Sequence, residues 1–364
     1  MSTPARVVIL PQESGSLEII DLELPDPGPF QVVIKQFASG ICHSQLHQIN
    51  NPRDTPVLLG HESTGSVLAV GSQVTHVEPG DTVLVTWVPR NVTEGSRLAE
   101  PASLELPNGE TARSQNVFTW ADHTIADEQY VVKVSADIDK EVTSIVGCAV
   151  MTGAGAVENT AAVKKGDSVA IYGVGGVGLS AVVAAKTLGA DPIIAVDLDE
   201  GKLAFARQFG ATHTINAGDE NPIRAIKNLT TSETKASITG RPVSGADFVF
   251  DCIGLKQTME QIVPSARTGF FGAQPGGTAV LVGVPQTSVE LNAADILHSE
   301  KKFIGSIGGS CAPDRDFPRY LEWFEEGLLD LNALVTKRYV LDDINEATQA
   351  LETGNISGRS IMVF

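Results

Sequence analysis

Residues 168–189 read SVAIYGVGGVGLSAVVAAKTLG, and this stretch decides the fold of the second half of the chain. Its apolar start predicts a strand, the glycines at Gly173, Gly175 and Gly178 predict a turn, and its Ala-rich end predicts a helix. Gly173 permits the tight turn, Gly175 lets a ligand approach the backbone, and Gly178 lets the helix pack closely on the strand. A GxGxxG turn between strand and helix is the context that dinucleotide binding requires.

The residues after this turn indicate which dinucleotide it would hold. The helix N-terminus offers free N–H groups and a positive dipole end to a phosphate. Asp197 ends the next predicted strand, where a carboxylate accepts the ribose hydroxyls of NAD and repels the 2′-phosphate of NADP. Lys202, further along the chain, could also contact the ribose. The pattern favours NAD; the alternative is a fold of this kind that has lost its nucleotide or binds another.

Strand and helix continue to alternate after the glycine turn. Apolar segments at 192–196, 248–251 and 278–284 predict strands, and 200–209 predicts a helix that stops at Gly210. Such alternation predicts a parallel sheet covered by helices on both faces.

The first 150 residues have a different, β-rich texture. Short apolar runs at 32–34, 66–70 and 82–85 are separated by Pro-Gly and Gly-Asp turns. Residues 88–117 are polar and free of cysteine, and they predict a surface excursion. Three further predictions concern the C-terminal part: helices at 317–326 and 344–351, and a closing strand at 360–364 that returns to the first domain.

Composition narrows the classes of function. The chain has 364 residues, enough for two cores, and its formal net charge of −18 repels nucleic acids and anionic lipid. The N-terminus lacks the pattern of a signal peptide, and no run of about 18 apolar residues predicts a membrane span. Four scattered cysteines cannot form a disulfide framework, so we expect a cytoplasmic protein.

Two cysteines and a histidine are candidate metal ligands. Catalytic zinc takes three protein ligands and leaves the fourth position to water or substrate, and Cys42, His61 and Cys148 have suitable side chains. Taken singly, a buried cysteine is more often a small hydrophobic residue, and a histidine more often an ordinary polar one.

Three motifs around these residues carry a family resemblance. Residues 60–65, GHESTG, are followed by Gly71 and Val74; residues 40–47 read GICHSQLH, and residues 147–153 read GCAVMTG. With the glycine turn, these motifs resemble the zinc-containing alcohol dehydrogenases of the medium-chain dehydrogenase/reductase superfamily. The resemblance is collinear from about residue 5 to the end of the chain.

The resemblance implies an α/β fold, with a Rossmann doubly wound parallel sheet and a β-rich GroES-like catalytic domain. Residues 1–149 and 308–364 would form the catalytic domain, and residues 150–307 the NAD-binding domain. The implied activity is reversible hydride transfer between a primary alcohol and NAD, giving the aldehyde and NADH. A bound zinc ion would make the alcohol lose its proton more readily.

Family roles carry over to individual residues. Cys42, His61 and Cys148 would bind the zinc ion, a ligand set that is the family's own. Ser44 would accept the alcohol proton and pass it towards His47, although His47 could simply be an exposed loop histidine. Glu62 would lie close to the metal.

Other family roles concern the cofactor and the substrate. Trp87 would line the substrate pocket, although a tryptophan there could equally belong to the core. The cofactor would be contacted by His43, Thr152, Gly173, Gly175, Gly176, Val177, Gly178, Asp197, Lys202, Val284, Ile307 and Arg359.

Three departures from the family pattern matter. Relatives with a structural zinc carry four cysteines in the segment that corresponds to 88–117, so we expect one catalytic zinc per subunit and no structural zinc. Gln45 replaces a common aspartate that orients the zinc-bound histidine, which predicts weaker zinc retention or a more electrophilic metal. His43 replaces an arginine, which predicts faster NADH release.

Residues 152–156 and 159–161 resemble most the aryl- and benzyl-alcohol branch of the family or its class III-like, glutathione-dependent formaldehyde branch. The resulting hypothesis is a zinc- and NAD-dependent alcohol dehydrogenase that favours aromatic or medium-chain primary alcohols. The alternatives are a polyol or secondary-alcohol dehydrogenase, a zinc-free enoyl or quinone reductase, and a non-catalytic NAD-binding protein on the same scaffold. The expected partners are a small-molecule alcohol or aldehyde and a second copy of the chain, with neither nucleic acid nor membrane. Segments 276–285 and 301–306 could supply the dimer edge, and pairing into tetramers is left open.

Overall fold

The chain folds into two compact units. The computed structural model describes residues 3–13, 15–90, 93–233, 240, 242–270, 272–354 and 356–364. Unit 1 comprises Met1–Ala149 and Ala312–Phe364, and unit 2 comprises Val150–Cys311. The second boundary therefore follows Cys311, whereas the sequence placed it after residue 307.

Unit 2 alternates strands with helices along the chain. Its strands are β11 (Val169–Tyr172), β12 (Ile193–Asp197), β13 (His213–Asn216), β14 (Phe248–Asp251), β15 (Thr278–Leu281) and β16 (Lys302–Gly305). Its helices are α2 (Met151–Gly155), α3 (Gly176–Thr187), α4 (Glu200–Phe209), α5 (Pro222–Leu229), α6 (Lys256–Ser265) and α7 (Ala293–Ser299).

The strands of unit 2 form a parallel sheet in the order β13-β12-β11-β14-β15-β16 among the described residues. This is the dinucleotide-binding order, in which the chain reverses direction next to the first strand. Tyr172 is in register with Val196 on one side and with Asp251 on the other, so neighbouring strands end at one edge of the sheet. Ligands bind outside that carboxyl edge in open parallel sheets.

Unit 1 is built mainly from strands. In its first segment they are β1 (Thr3–Leu10), β2 (Glu18–Leu24), β3 (Gln31–Ile41), β4 (Val57–Leu58), β5 (Ser63–Val70), β6 (Thr82–Val85), β7 (Ser103–Glu105), β8 (Thr111–Arg113), β9 (His123–Asp127) and β10 (Val131–Lys133), with helix α1 (Ser44–Asn50) after β3. The C-terminal segment adds α8 (Pro313–Glu325), α9 (Leu331–Leu334), β17 (Val335–Tyr339), α10 (Ile344–Glu352) and β18 (Arg359–Val363).

The long strand β3 organises unit 1. It pairs antiparallel with β5, β9 and β18, and the register matches Ser39 with Ser63 and Ile41 with Ser360. The end of β3 therefore lies beside the start of β5 and the start of β18. These are the positions that lead into Cys42, follow Glu62 and contain Arg359.

The segment 88–117, which the sequence predicted to be a surface excursion, contributes two strands to a sheet of unit 1. Strands β7 and β8 form a hairpin, and β8 pairs with β4 within the sheet β2-β1-β4-β8-β7. Leu104 and Leu106 are buried in the core beneath that sheet. Arg97 binds the carboxylate of Asp127 through both terminal nitrogens, at 2.6 and 2.8 Å. Packing and hydrogen bonds hold the described part of this lobe, of which residues 91 and 92 lie outside the described residues.

Several predicted bounds were wrong. The strand predicted at 278–284 ends at Leu281, and α8 begins at Pro313 rather than at residue 317. Strand β15 lies inside the sheet between β14 and β16, so the edge on that side of the described sheet is β16. Within the described ranges, each helix is too short or too polar to cross a membrane.

Candidate functional site

The candidate metal ligands meet in unit 1. Cys42 follows β3, His61 lies two residues before β5, and Cys148 lies on a single π-helical turn, Val146–Val150. That turn is held against the end of β6, because the Thr86 hydroxyl donates to the carbonyl of Gly147 at 2.7 Å. Inserted π turns are frequent at functional sites.

The distances within this cluster suit a zinc ion. Potential ligand atoms of Cys42, His61, Glu62 and Cys148 all lie within 4.8 Å of one another. The two sulfur atoms are 3.9 Å apart. Two thiolates at about 2.3 Å from one tetrahedral ion would be separated by about 3.8 Å. Nε2 of His61 is buried and has no hydrogen-bond partner among the described residues, as expected of a nitrogen reserved for another ligand.

Burial couples the two thiols. The hydrogen bond with Cys148 holds the pKa of Cys42 well below its usual value, and the same contact raises the pKa of Cys148 well above its own. One thiolate therefore forms readily, but a second negative charge at 3.9 Å is opposed. A divalent cation would remove that opposition.

Glu62 is fully buried next to the thiols, yet both of its carboxylate oxygens have partners. Oε1 accepts from the guanidinium of Arg359, and Oε2 accepts from the backbone N–H of Ala149 at 3.1 Å. Burial raises the pKa of Glu62, and the neighbouring Arg359 partly offsets this effect. Gly40 makes room for the carboxylate, because a Cβ there would overlap its oxygen. Glu62 is thus held beside the candidate metal position.

Gln45 bridges the backbone and the imidazole of His61. Its Oε1 accepts from the N–H of Gly60 at 2.5 Å, and its Nε2 lies 2.7 Å from Nδ1 of His61. Gln45 is 1% exposed, so these contacts are shielded from water. They fix the ring plane of the imidazole.

Helix α1 carries the candidate proton-transfer residues. The Ser44 hydroxyl donates to the sulfur of Cys42 at 3.3 Å. His47 lies one turn later, on the same face of the helix as Ser44. The side chain of His43 is exposed, and its ring centroid is 6.0 Å from that of His47.

The glycine turn in unit 2 has the geometry expected of its sequence. Gly173 has φ +83°, and a Cβ at Gly178 would lie 1.9 Å from the carbonyl oxygen of Gly173. Gly175 is the N-cap of α3, and a Cβ there would meet nothing within 4 Å. The turn is therefore closely packed at Gly178 and open at Gly175.

Asp197 lies beside the open part of this turn. Its Oδ2 accepts from the N–H of Val174 at 3.0 Å, and its Oδ1 accepts from the N–H groups of Leu198 and Asp199 at 2.8 and 3.2 Å. A carboxylate has about four acceptor positions, so this one can still accept a ligand hydroxyl.

Comparison with known proteins agrees with this arrangement. Residues 28–136 match the model for the alcohol dehydrogenase GroES-like domain, and residues 176–326 match that for zinc-binding dehydrogenases. The chain is 30% identical to alcohol dehydrogenase class-3 of Cereibacter sphaeroides, and equally to S-(hydroxymethyl)glutathione dehydrogenase of Paracoccus denitrificans; both alignments cover 100% of each chain. It is similar to the crystal structure of benzyl alcohol dehydrogenase from Acinetobacter calcoaceticus, with 28% identity, a TM-score of 0.85 and coverage of 100% of this chain and 99% of the other.

The chain belongs to the zinc-type alcohol dehydrogenase family. The predicted fold class, with its parallel sheet and GroES-like domain, is confirmed. The chain is accordingly an oxidoreductase of the medium-chain dehydrogenase/reductase superfamily.

The remaining predicted residues of this alcohol dehydrogenase have mixed surroundings. Thr152 is nearly buried and Trp87 is half-buried. Neither the Thr152 hydroxyl nor the Trp87 indole N–H has a hydrogen-bond partner in the described part of the chain. Val284 is 48% exposed and lies beyond the end of β15, whereas the sequence placed it at the end of a strand. Ile307 is 78% exposed. Lys202 is partly exposed, and its backbone N–H is bound by Asp199.

Sequence reasoning missed the ion pair between Glu62 and Arg359. It assigned Arg359 to a pyrophosphate contact, whereas Arg359 is buried and its guanidinium is bound to the Glu62 carboxylate. The ion pair could have been found from the register in which the closing strand β18 pairs with β3, but a single sequence does not give that register. The role of Gly60 as a second partner of Gln45 was also missed.

Proposed function

We propose that this alcohol dehydrogenase holds one catalytic zinc ion per subunit on Cys42, His61 and Cys148, and uses NAD to oxidise a primary alcohol. The observation that carries the proposal is the separation of the two buried sulfurs, 3.9 Å, together with Nε2 of His61, which has no hydrogen-bond partner among the described residues. When bound, zinc supplies Lewis-acid polarisation of the alcohol oxygen.

Ser44 and His47 would move the alcohol proton. Ser44 already lies against Cys42, and a hydroxyl can accept one proton while it donates another. His47 is partly exposed on the same face of α1, and an imidazole can both take up and release a proton, so it suits the end of a proton path to solvent. Glu62, fixed by Arg359, would tune the charge beside the metal without taking the substrate position.

Asp197 supports NAD as the cofactor. Its carboxylate is fixed by backbone N–H groups next to the glycine turn, where a 2′-phosphate would meet negative charge. The exposed Val284 and Ile307 would contact the nicotinamide, with Thr152 and Val177 behind the ring.

The substrate class and the assembly are further parts of the proposal. Aromatic or medium-chain primary alcohols are favoured, in line with the benzyl alcohol dehydrogenase whose fold this chain shares along its whole length. Trp87 would line the pocket. A homodimer would form through strand β16, which is at the edge of its sheet among the residues that the structure describes.

Metal analysis combined with a substrate panel tests the proposal. The purified chain is analysed for zinc, and NADH or NADPH absorbance is followed with benzyl alcohol, a medium-chain primary alcohol, S-(hydroxymethyl)glutathione and sorbitol. We expect about one zinc ion per chain and turnover of benzyl alcohol with NAD. Preference for sorbitol would overturn the substrate class, and activity that survives complete chelation would overturn the metal role.

A pair of cysteine variants separates the metal site from general damage. Cys148→Ser should lose both zinc and turnover, because a hydroxyl is a poor replacement for a thiolate ligand. Cys311→Ser should retain zinc, since the Cys311 thiol donates to the carbonyls of Met151 and Gly309 and a hydroxyl can do the same. Equal zinc content in the two variants would contradict the ligand assignment.

A further inference from the structure

Gln45 sets the protonation pattern of His61. The backbone N–H of Gly60 can only donate, so the Gln45 atom 2.5 Å away from it must be the amide oxygen. The other end of the amide, the NH2 group, therefore faces Nδ1 of His61 at 2.7 Å. This orientation follows from a fixed backbone donor and does not depend on how the amide was assigned.

An NH2 group facing Nδ1 makes that nitrogen the acceptor. A neutral imidazole has one N–H, so the ring proton then lies on Nε2. Nε2 is the buried nitrogen without a hydrogen-bond partner among the described residues. Since Nδ1 faces Gln45, Nε2 is the nitrogen left for the cluster of potential ligand atoms to which His61 belongs. The nitrogen that a metal ion would need is thus the protonated one.

Zinc binding through Nε2 requires the opposite tautomer. The proton must leave Nε2 and a proton must occupy Nδ1, where it meets the NH2 group of Gln45. Rotating the amide would give Nδ1–H an acceptor, but it would then turn the NH2 group towards the N–H of Gly60. One oxygen cannot serve two donors placed at opposite ends of the amide, so one buried donor loses its partner in the zinc-bound state.

We propose that Gln45 is a positioning residue that holds His61 with its proton on Nε2 in the zinc-free protein and thereby weakens zinc binding. The inference rests on the proposed zinc site. It deepens that proposal by assigning the weaker zinc binding to one amide group. In the zinc-bound state, the single oxygen of Gln45 cannot accept from both Gly60 N–H and Nδ1–H of His61. A carboxylate of the same shape would accept from both Gly60 and Nδ1–H.

The first test observes the tautomer directly. Nitrogen NMR of the zinc-free, ¹⁵N-histidine-labelled full chain distinguishes a protonated from an unprotonated ring nitrogen, and the His61 signals are those lost in His61→Gln. We expect the proton on Nε2 in the natural chain and on Nδ1 in Gln45→Glu. A proton on Nδ1 in the natural chain would overturn the proposal, whether or not the chain is a dehydrogenase.

The second test measures zinc affinity by competition with a chromophoric chelator. Gln45→Glu should bind Zn²⁺ about 10–100-fold more tightly than the natural chain, the range seen when a partner of a ligand is restored. Gln48→Glu adds the same charge on the same helix and should leave the affinity within about 2-fold. Equal affinities for Gln45→Glu and the natural chain would refute the inference while leaving the zinc site intact. Failure of all three proteins to bind zinc would instead refute the proposed function.

Discussion

Two alanine substitutions in the glycine turn of unit 2 should have opposite consequences. At Gly178, a Cβ would lie 1.9 Å from the carbonyl oxygen of Gly173, so the backbone would have to move by about 1.5 Å to reach ordinary contact. Overpacking against backbone costs about 1–3 kcal/mol, and the gain from placing alanine in a helix offsets only about 0.5–1 kcal/mol. We therefore expect Gly178→Ala to lose about 1–2 kcal/mol of stability.

At Gly175 the same substitution meets open space, and the backbone φ of −74° is ordinary for alanine. The loss of a glycine N-cap and the reduced freedom of the unfolded chain should nearly cancel, within about 0.5 kcal/mol. If the pyrophosphate approaches this backbone, however, the new methyl group would displace it. One charge-assisted hydrogen bond is worth about 1.5–3 kcal/mol, so we expect NADH to bind about 10–100-fold more weakly.

Each variant is the control for the other. The midpoint temperature of thermal unfolding should fall by about 2–8 °C for Gly178→Ala and by less than about 2 °C for Gly175→Ala. NADH fluorescence titration, carried out well below either transition, should show the large loss of affinity in Gly175→Ala. Natural NADH affinity in Gly175→Ala would refute the position of the pyrophosphate. Natural thermal stability in Gly178→Ala would refute the close approach of helix and strand.

Two predictions concern the lobe formed by residues 88–117. Asp127→Asn should lower the unfolding free energy at neutral pH by about 1.5–3 kcal/mol, because the Arg97 guanidinium loses a charged acceptor. Burial raises the pKa of Asp127, but Arg97 and two backbone N–H groups outweigh that effect and keep the pKa below its usual value. The stability from this ion pair is therefore present above about pH 4 and is lost as the pH falls through the lowered pKa. In urea unfolding, the unfolding free energies of the natural chain and Asp127→Asn should converge at low pH. A difference that stays constant with pH would contradict the ion pair. Leu104→Ala should cost about 2–4 kcal/mol, while Leu98→Ala, at a side chain 83% exposed, should change stability by less than about 0.5 kcal/mol; similar unfolding midpoints for the two would mean that the hairpin does not pack on the core.

The sequence predicted the local part of the fold well, because that part depends on short-range patterns. The stretch 168–189 contains an apolar run, a glycine turn and a helix, and the structure forms β11 and α3 there. Strand ends were less predictable, as Val284 shows. Its apolar neighbours continue beyond the last residue that pairs with β16, and pairing is a property of two strands rather than of one.

The candidate site was predictable in its members but not in its connections. The motifs GICHSQLH, GHESTG and GCAVMTG drew attention to Cys42, His61 and Cys148 as candidate ligands, and the structure brings these three residues together. The partner of Glu62 lies 297 positions away in the chain. It is fixed by the pairing of Ser360 with Ile41, which no local pattern encodes. Long-range register therefore limits what one sequence can say about an active site.

The ion pair between Glu62 and Arg359 helps to explain how four ionisable side chains can be buried together. The other two are the thiols of Cys42 and Cys148. Burial alone would lower the pKa of Arg359, but the thiol of Cys42 and the carboxylate of Glu62 raise it, so the guanidinium stays charged. Arg359 and Glu62 then neutralise each other, and the two negative charges of a pair of thiolates would equal the charge of a divalent cation. Without such an ion the second thiolate is opposed, which is why the pKa of Cys148 is raised. Because Arg359 and Glu62 are paired with each other, a doubly positive ion of the kind we propose would be left to compensate the two sulfurs.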